Sequence, residues 1–251
     1  MGKTYFIAGG TRGIGLALVK ELSEQSEGNL VFTSARNPDQ ASELSEWTES
    51  HKNVQVVSLD VTDAASVKAS ATRVRTLAPG GIDVLVVNAG VGSSSALLQT
   101  SDSEYHRVFD TNTLGPIRVI EAFLPLLREG ETRHIAVISS IAGSIQICFP
   151  EVTPAYAISK LAVNFYVRNL STTLKNEGFS VLAIHPGVVG TDLFFDTVNA
   201  MGPEIAKAIQ EKYPPITPKA SASQIIENIL AKQGPTFTDR FVSYDGSEIP
   251  W

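Results

Sequence analysis

The sequence holds a single cysteine, Cys148, among 251 residues. An intramolecular disulfide and a multi-cysteine metal site are therefore excluded, and the chain suits a reducing compartment. Positive charge is also scarce: 20 Lys+Arg face 26 Asp+Glu, a formal net charge of −6, with no basic cluster. Phosphate neutralisation supplies most nucleic-acid affinity, so nucleic acid is not an expected partner. No run approaches the ~18 apolar residues that a spanning helix needs, so no membrane partner is expected either. The start, Met1 to Ile7, lacks an apolar stretch followed by a small-residue cleavage site, which makes the cytoplasm the expected location. His51, His106 and His134 form no ligand pattern, His185 reads as a packed histidine at a strand end, and no metal is expected.

What is present has the balance of a folded globular chain, 43% hydrophobic and 18% charged. Short apolar runs at Thr4–Ala8, Asn29–Ser34, Val54–Leu59, Val84–Val87, His134–Ser139 and Ser180–His185 read as strands buried on both faces. Between them, Ile14–Ser26, Asp39–Ser50, Ala64–Leu77, Ser103–Leu127 and Ala155–Asn176 read as helices. This alternation predicts an α/β fold: one Rossmann-type domain over residues 1–251, a doubly wound parallel sheet with helices on both faces. Residues 192–219 break the rhythm, with prolines at 203, 214, 215 and 218 beside Phe194 and Phe195. They follow the sixth strand at its carboxyl end, where such folds bind ligands, and are expected to form a substrate lid.

Gly9-Gly10-Thr11-Arg12-Gly13-Ile14-Gly15 joins the first strand to the first helix. Glycines allow a tight turn and close approach of backbone to a pyrophosphate, and the helix N-terminus offers free N–H groups and a favourable dipole. The spacing is G-x-x-x-G-x-G rather than G-x-G-x-x-G. The second strand runs into Thr33-Ser34-Ala35-Arg36, with no carboxylate before Asp39. An acidic residue there would grip the ribose hydroxyls of NAD; an arginine instead offers a fork to a 2′-phosphate. Arg12 is expected to reach the same phosphate, so NADP(H) is the favoured cofactor.

Tyr156 and Lys160 are four residues apart at the start of a long helix and so share a face. A nearby ammonium is expected to lower the phenol pKa toward a useful range for acid–base catalysis. Ser139-Ser140 ends the fifth strand, where a hydroxyl could orient a carbonyl. Asn112 interrupts an otherwise helical stretch, suited to fixing a local bend or to holding a water linked to Lys160.

In this order and spacing, the glycine-rich start, Asn88-Ala89-Gly90, Asn112, Ser140, Tyr156-x-x-x-Lys160 and Pro186-Gly187-Val188-Val189-Gly190-Thr191 resemble the short-chain dehydrogenase/reductase family over nearly the whole chain. The resemblance implies a catalytic tetrad of Asn112, Ser140, Tyr156 and Lys160, with Ser140 rather than Ser139 as the orienting hydroxyl. It also implies cofactor contacts from Gly9, Thr11, Arg12, Gly13, Ile14, Gly15 and Arg36, from Asp60 and Val61 at the adenine, and from Asn88, Ala89 and Gly90 at the ribose. Tyr156, Pro186 and Gly187 would also contact the cofactor, Lys160 would bind its ribose and activate Tyr156, and Val189 and Thr191 would hold the nicotinamide carboxamide. Ala8 stands where the family usually has threonine, and the stretch between Ser140 and Tyr156 is longer than common. The ending Tyr244–Trp251 is similar to the sniffer-like carbonyl reductases, a branch that includes norsolorinic acid ketoreductase-like proteins. The implied activity is reduction of a ketone or aldehyde with NADPH, with Phe149, Phe194 and Phe195 as substrate contacts for an apolar or aromatic carbonyl compound. A homodimer or homotetramer would follow the family habit. NAD-dependent oxidation of a secondary alcohol and non-catalytic NADP(H) sensing are the alternatives.

Overall fold

Successive side chains of a strand point to opposite faces, and in β1 (Thr4–Ala8) both faces are covered: Phe6 and Ala8 enter one apolar core, Tyr5 and Ile7 another. The same alternation runs through β4 (Val84–Val87), β5 (His134–Ile138) and β6 (Ser180–His185), which is why the interiors of these runs are apolar. The computed structural model describes residues 2–148, 153–232, 234 and 236–251. Within them, β2 (Leu30–Ala35), β3 (Val54–Ser58) and β7 (Arg240–Ser243) complete a seven-stranded sheet of order β3-β2-β1-β4-β5-β6-β7, every pairing parallel.

Helices α3 (Ala64–Leu77), α5 (Gly115–Glu129) and α6 (Pro154–Leu174) close the first core, where the Phe6 and Phe123 rings lie 4.1 Å apart. Truncating a fully buried Phe123 to alanine costs about 3–5 kcal/mol in such a core. The second core is covered by α1 (Gly13–Gln25), α2 (Ser42–Ser50) and α9 (Pro218–Ile225), through Leu18, Leu22, Leu44 and Ile225. The strand order reverses between β1 and β4, which opens a crevice at their carboxyl ends.

The expected helix Ser103–Leu127 is divided. Helix α4 (Asp102–Phe109) and α5 are joined by a π-helical turn, Asp110–Leu114. Pro116 follows and has no N–H to offer the carbonyl four residues back, which belongs to Asn112, so a regular α-helical ladder cannot pass this point. The expected helix from Asp39 starts later, because Pro38–Gln40 form a separate 3-10 turn. The region 192–219 contains α7 (Asp192–Asn199) and α8 (Pro203–Lys212).

Candidate active site

Two loops meet at the strand-order reversal. Gly9 takes φ +90°, and a Cβ there would come within 2.9 Å of the Ala89 backbone, so the turn after β1 lies directly on the turn after β4. Asn88 fastens the contact, its Nδ2 donating to the Gly9 carbonyl at 2.7 Å. Gly15 is packed more tightly still: a Cβ would sit 2.0 Å from the Gly9 carbonyl oxygen and 2.5 Å from Asn88 Nδ2. Beyond the loop, α1 begins with no side-chain cap and no acidic residue in its first turn. Its free N–H groups and positive dipole end remain available to an anion. Thr11 is half-buried and Ile14 packs on the second core.

The two arginines meet different acidic neighbours. Arg36 lies exposed just beyond β2, close enough to Asp60 to stabilise its carboxylate. Burial opposes that charge, but hydrogen bonds from the Thr62 hydroxyl and N–H, together with Arg36, hold Asp60 below the usual carboxylate range. Arg12 pairs with Asp192 at the start of α7, Nη1 to Oδ2 at 3.2 Å. Both partners are about two-thirds exposed, so the pair contributes little stability, of order 0–1 kcal/mol. Val61 is buried, and its carbonyl accepts from Arg118 Nη1 at 3.2 Å.

Across the crevice, α6 brings Tyr156 and Lys160 to the end of β5. The Lys160 ammonium lies 5.7 Å from the Tyr156 ring centre and donates to the Ile138 carbonyl at 2.9 Å. Burial pushes the Lys160 pKa down to about 8. Tyr156 hydrogen-bonds Ser140, which favours the phenolate; burial acts more strongly the other way, and the phenol lies above its ordinary value. The expected lowering by Lys160 is thus absent, because desolvation of the phenolate outweighs its neighbours. The two serines separate by role. Ser139 is buried and gives its hydroxyl to Asn164 Oδ1 at 2.5 Å, whereas half-buried Ser140 turns toward Tyr156. Asn112, fully buried, brackets Val91: its Oδ1 accepts the Val91 N–H at 2.8 Å and its Nδ2 donates to the Val91 carbonyl at 2.9 Å. The same Nδ2 reaches Ser159 Oγ at 3.1 Å. A Cβ on Gly90 would lie 3.3 Å from Asn112 Oδ1 and 3.8 Å from Lys160 Nζ, so the absence of a side chain keeps the space before both groups open.

The model of the short chain dehydrogenase family matches residues 3–201. The chain belongs to that family. An oxidoreductase of Schizosaccharomyces pombe is 42% identical over 253 residues, which cover 99% of this chain and 98% of the relative. Among solved structures, the carbonyl reductase Sniffer of Drosophila melanogaster is 29% identical, with a TM-score of 0.87 and full coverage of both chains. The NADPH-bound carbonyl reductase from chicken fatty liver is 28% identical, with a TM-score of 0.88 over all of this chain and 94% of its own. This short-chain dehydrogenase is an oxidoreductase with carbonyl reductases among its structural neighbours.

In the dehydrogenase, Pro186 and Gly187 follow β6, with Gly187 at φ +89° against Ile216 and Tyr244. Val189 bridges to Ile216, and Thr191 caps α7 by accepting the Phe194 N–H. Helix α7 then packs toward the loop after β4: a Cβ on Gly92 would come 2.5 Å from Thr197 Oγ1 and 3.6 Å from Leu193. Phe194 and Phe195 stack edge to face at 5.3 Å, and Phe195 lies against Gly190. Phe149 lies outside the described residues, while Cys148 beside it is exposed. Among the described residues no helix is long and apolar enough to cross a membrane, and no three His, Cys, Asp or Glu gather as a metal site. Sequence reasoning missed Asn164, Ser159 and Arg118. Each is a polar residue on an amphipathic helix, and only its partner, 25 to 57 positions away, reveals its use.

Proposed function

We propose that this short-chain dehydrogenase is an NADPH-dependent carbonyl reductase in which Tyr156 donates the proton to the carbonyl oxygen. The observation that carries the reading is the convergence of Tyr156, Ser140 and Lys160 beside the glycine crevice. The residues present fit a dinucleotide. Gly9 and Gly13 leave backbone open to a pyrophosphate at the uncapped start of α1, buried Gly15 lets the loop close on Gly9 and Asn88, and Gly90 leaves room for a ribose before Lys160. Asn88, Ala89, Asp60 and Val61 would line the nucleoside portions, and Val189 and Thr191 the carboxamide end. The bound cofactor supplies hydride transfer.

The protein does the rest. Ser140 orients the substrate carbonyl by donating its hydroxyl proton, which also polarises the carbon for attack. The high phenol pKa keeps Tyr156 protonated at neutral pH, the state that a proton donor in a reduction needs. Lys160, charged below about pH 8, stabilises the phenolate left after transfer and can give hydrogen bonds to a ribose. Asn112 ties the turn between α4 and α5 to the Val91 loop and holds the floor on which these groups meet. Exposed Arg36 supports NADP(H) over NAD, since its fork can meet a 2′-phosphate. Phe194 and Phe195 on α7 support an apolar or aromatic substrate beneath a lid over residues 192–219.

The test is NADPH and NADH oxidation across a panel of aromatic diketones, ketones, quinones and aldehydes. Turnover with NADPH and a much higher KM for NADH are expected. Preference for NADH would favour an NAD-dependent alcohol dehydrogenase, and tight NADPH binding without turnover of any member would favour a sensor.

A further inference from the structure

We infer that Asn164 is a positioning residue that sets the Ser140 hydroxyl by clamping both ends of the turn that carries it. The inference rests on the proposed role of Ser140. Tyr156, Lys160 and Asn164 follow one another at intervals of four along α6 and so occupy one helix face. That face holds the end of β5 residue by residue. Lys160 takes the Ile138 carbonyl, Asn164 takes the Ser139 hydroxyl, and Tyr156 meets Ser140. Asn164 then reaches past Ser140, its Nδ2 donating to the Gly143 carbonyl at 3.2 Å.

Between those two anchor points the chain makes a single 3-10 turn, Ile141–Gly143, capped by Ser140, whose Oγ accepts the Ala142 N–H at 3.2 Å. Gly143 closes the turn with its N–H on the Ser140 carbonyl at 2.8 Å. A Cβ on Gly143 would come 2.6 Å from the Lys160 carbonyl carbon, so the turn is pressed flat on α6. Ser140 itself is half-buried and makes no bond to Asn164; its place is set by what holds Ser139 and Gly143. Both anchors are hydrogen bonds in a buried setting, with Asn164 and Ser139 each 2% exposed. Such bonds are poorly replaced by water, so losing one leaves an unpaired polar atom and a loosened turn.

The side chain required is specific. Ser139 offers a donor and Gly143 an acceptor, so the residue between them must accept with one atom and donate with another. An amide does both at the length of Asn. Aspartate lacks the donor and buries a charge, and leucine has neither function at similar volume.

The experiment is a double-mutant cycle between Asn164→Leu and Ser140→Ala, with full-length protein and NADPH. Because small misplacements of a reacting group cost up to ~100-fold, Asn164→Leu is expected to lower kcat roughly 10- to 100-fold. In the Ser140→Ala background the same change should lower kcat less than ~2-fold, since the group it positions is gone. NADPH affinity should stay within ~2-fold in both backgrounds. Equal losses in the two backgrounds, or no loss in either, overturn the inference. If Asn164→Leu does not fold, Ser139→Ala removes one anchor at the cost of a single oxygen and enters the same cycle with the same expectations. A second readout needs no turnover. In the cofactor-free protein, the ¹³Cζ resonance of Tyr156, assigned with Tyr156→Phe, should move in Asn164→Leu toward its position in Ser140→Ala. An unmoved resonance contradicts the clamp. Should the wild-type chain reduce no carbonyl on the panel, the proposed reaction fails, while the resonance still decides on the clamp.

Discussion

The strand that ends at the candidate serine pair begins at a buried imidazole, and acid should attack the fold there. His134 is fully buried at the first position of β5, and neither ring nitrogen has a hydrogen-bond partner among the described residues. Burial, with a smaller push from the Lys3 charge, lowers its pKa from 6.5 to about 4. The folded state therefore binds this proton more weakly than the unfolded chain does. Stability is fully present above about pH 6.5 and is lost as pH falls toward about 4. At pH 5 the unfolded imidazole is nearly all protonated and the folded one nearly all neutral, a penalty of about 2 kcal/mol relative to pH 8. His134→Leu removes the titration while filling similar space. Guanidinium unfolding of both proteins at pH 5 and pH 8 isolates the effect, because the carboxylates and His185 contribute equally to each. The variant should lose about 2 kcal/mol less than wild type between the two pH values. Parallel losses would refute the assignment of the acid sensitivity to this ring.

Three further outcomes concern the cofactor side of the site. Arg36→Ala should raise the KM for NADPH roughly 10- to 100-fold and leave that for NADH within ~2-fold, as read from initial rates with each cofactor. Gly15→Ala forces a Cβ to 2.0 Å from the Gly9 carbonyl, so NADPH binding followed by fluorescence should weaken at least about tenfold; unchanged binding would mean that the loop does not cradle the pyrophosphate. Because Lys160 titrates at about 8, kcat/KM should fall as pH rises through that value. Lys160→Arg, whose guanidinium stays charged, should lift that alkaline limb, and an unmoved limb would assign it to another group.

The inner strands were readable because burial on both faces leaves them mostly apolar, whereas edge strand β3, half-buried at Gln55 and Val56, stood out only by its valines. β7 was not readable: its four residues begin with a half-buried arginine and end with a serine, too polar to stand out as the equally short, all-apolar β4 does. Asn112 was conspicuous as a poor helix residue, yet the π-helical turn around it depends on Pro116 and on Val91 lying within reach. The positions proposed as a tetrad were picked out by motif order, while their electrostatics were not. Half-buried Tyr156 is governed by the desolvation of its hydroxyl, a quantity that no i,i+4 spacing contains. Arg12 pairs with a residue 180 positions away, so its partner could not be read from the glycine-rich loop. Asn164 reads in isolation as one more polar position on an amphipathic helix, and only the fold brings Ser139 and Gly143 to it.

The claim that Tyr156 donates the proton is tested most directly by Tyr156→Phe, which removes one oxygen and leaves the ring in place. With a carbonyl substrate found active on the panel, kcat should fall at least ~100-fold while the Kd for NADPH stays within about threefold. A variant that binds NADPH and still reduces the substrate at a rate near that of the wild type would contradict the account.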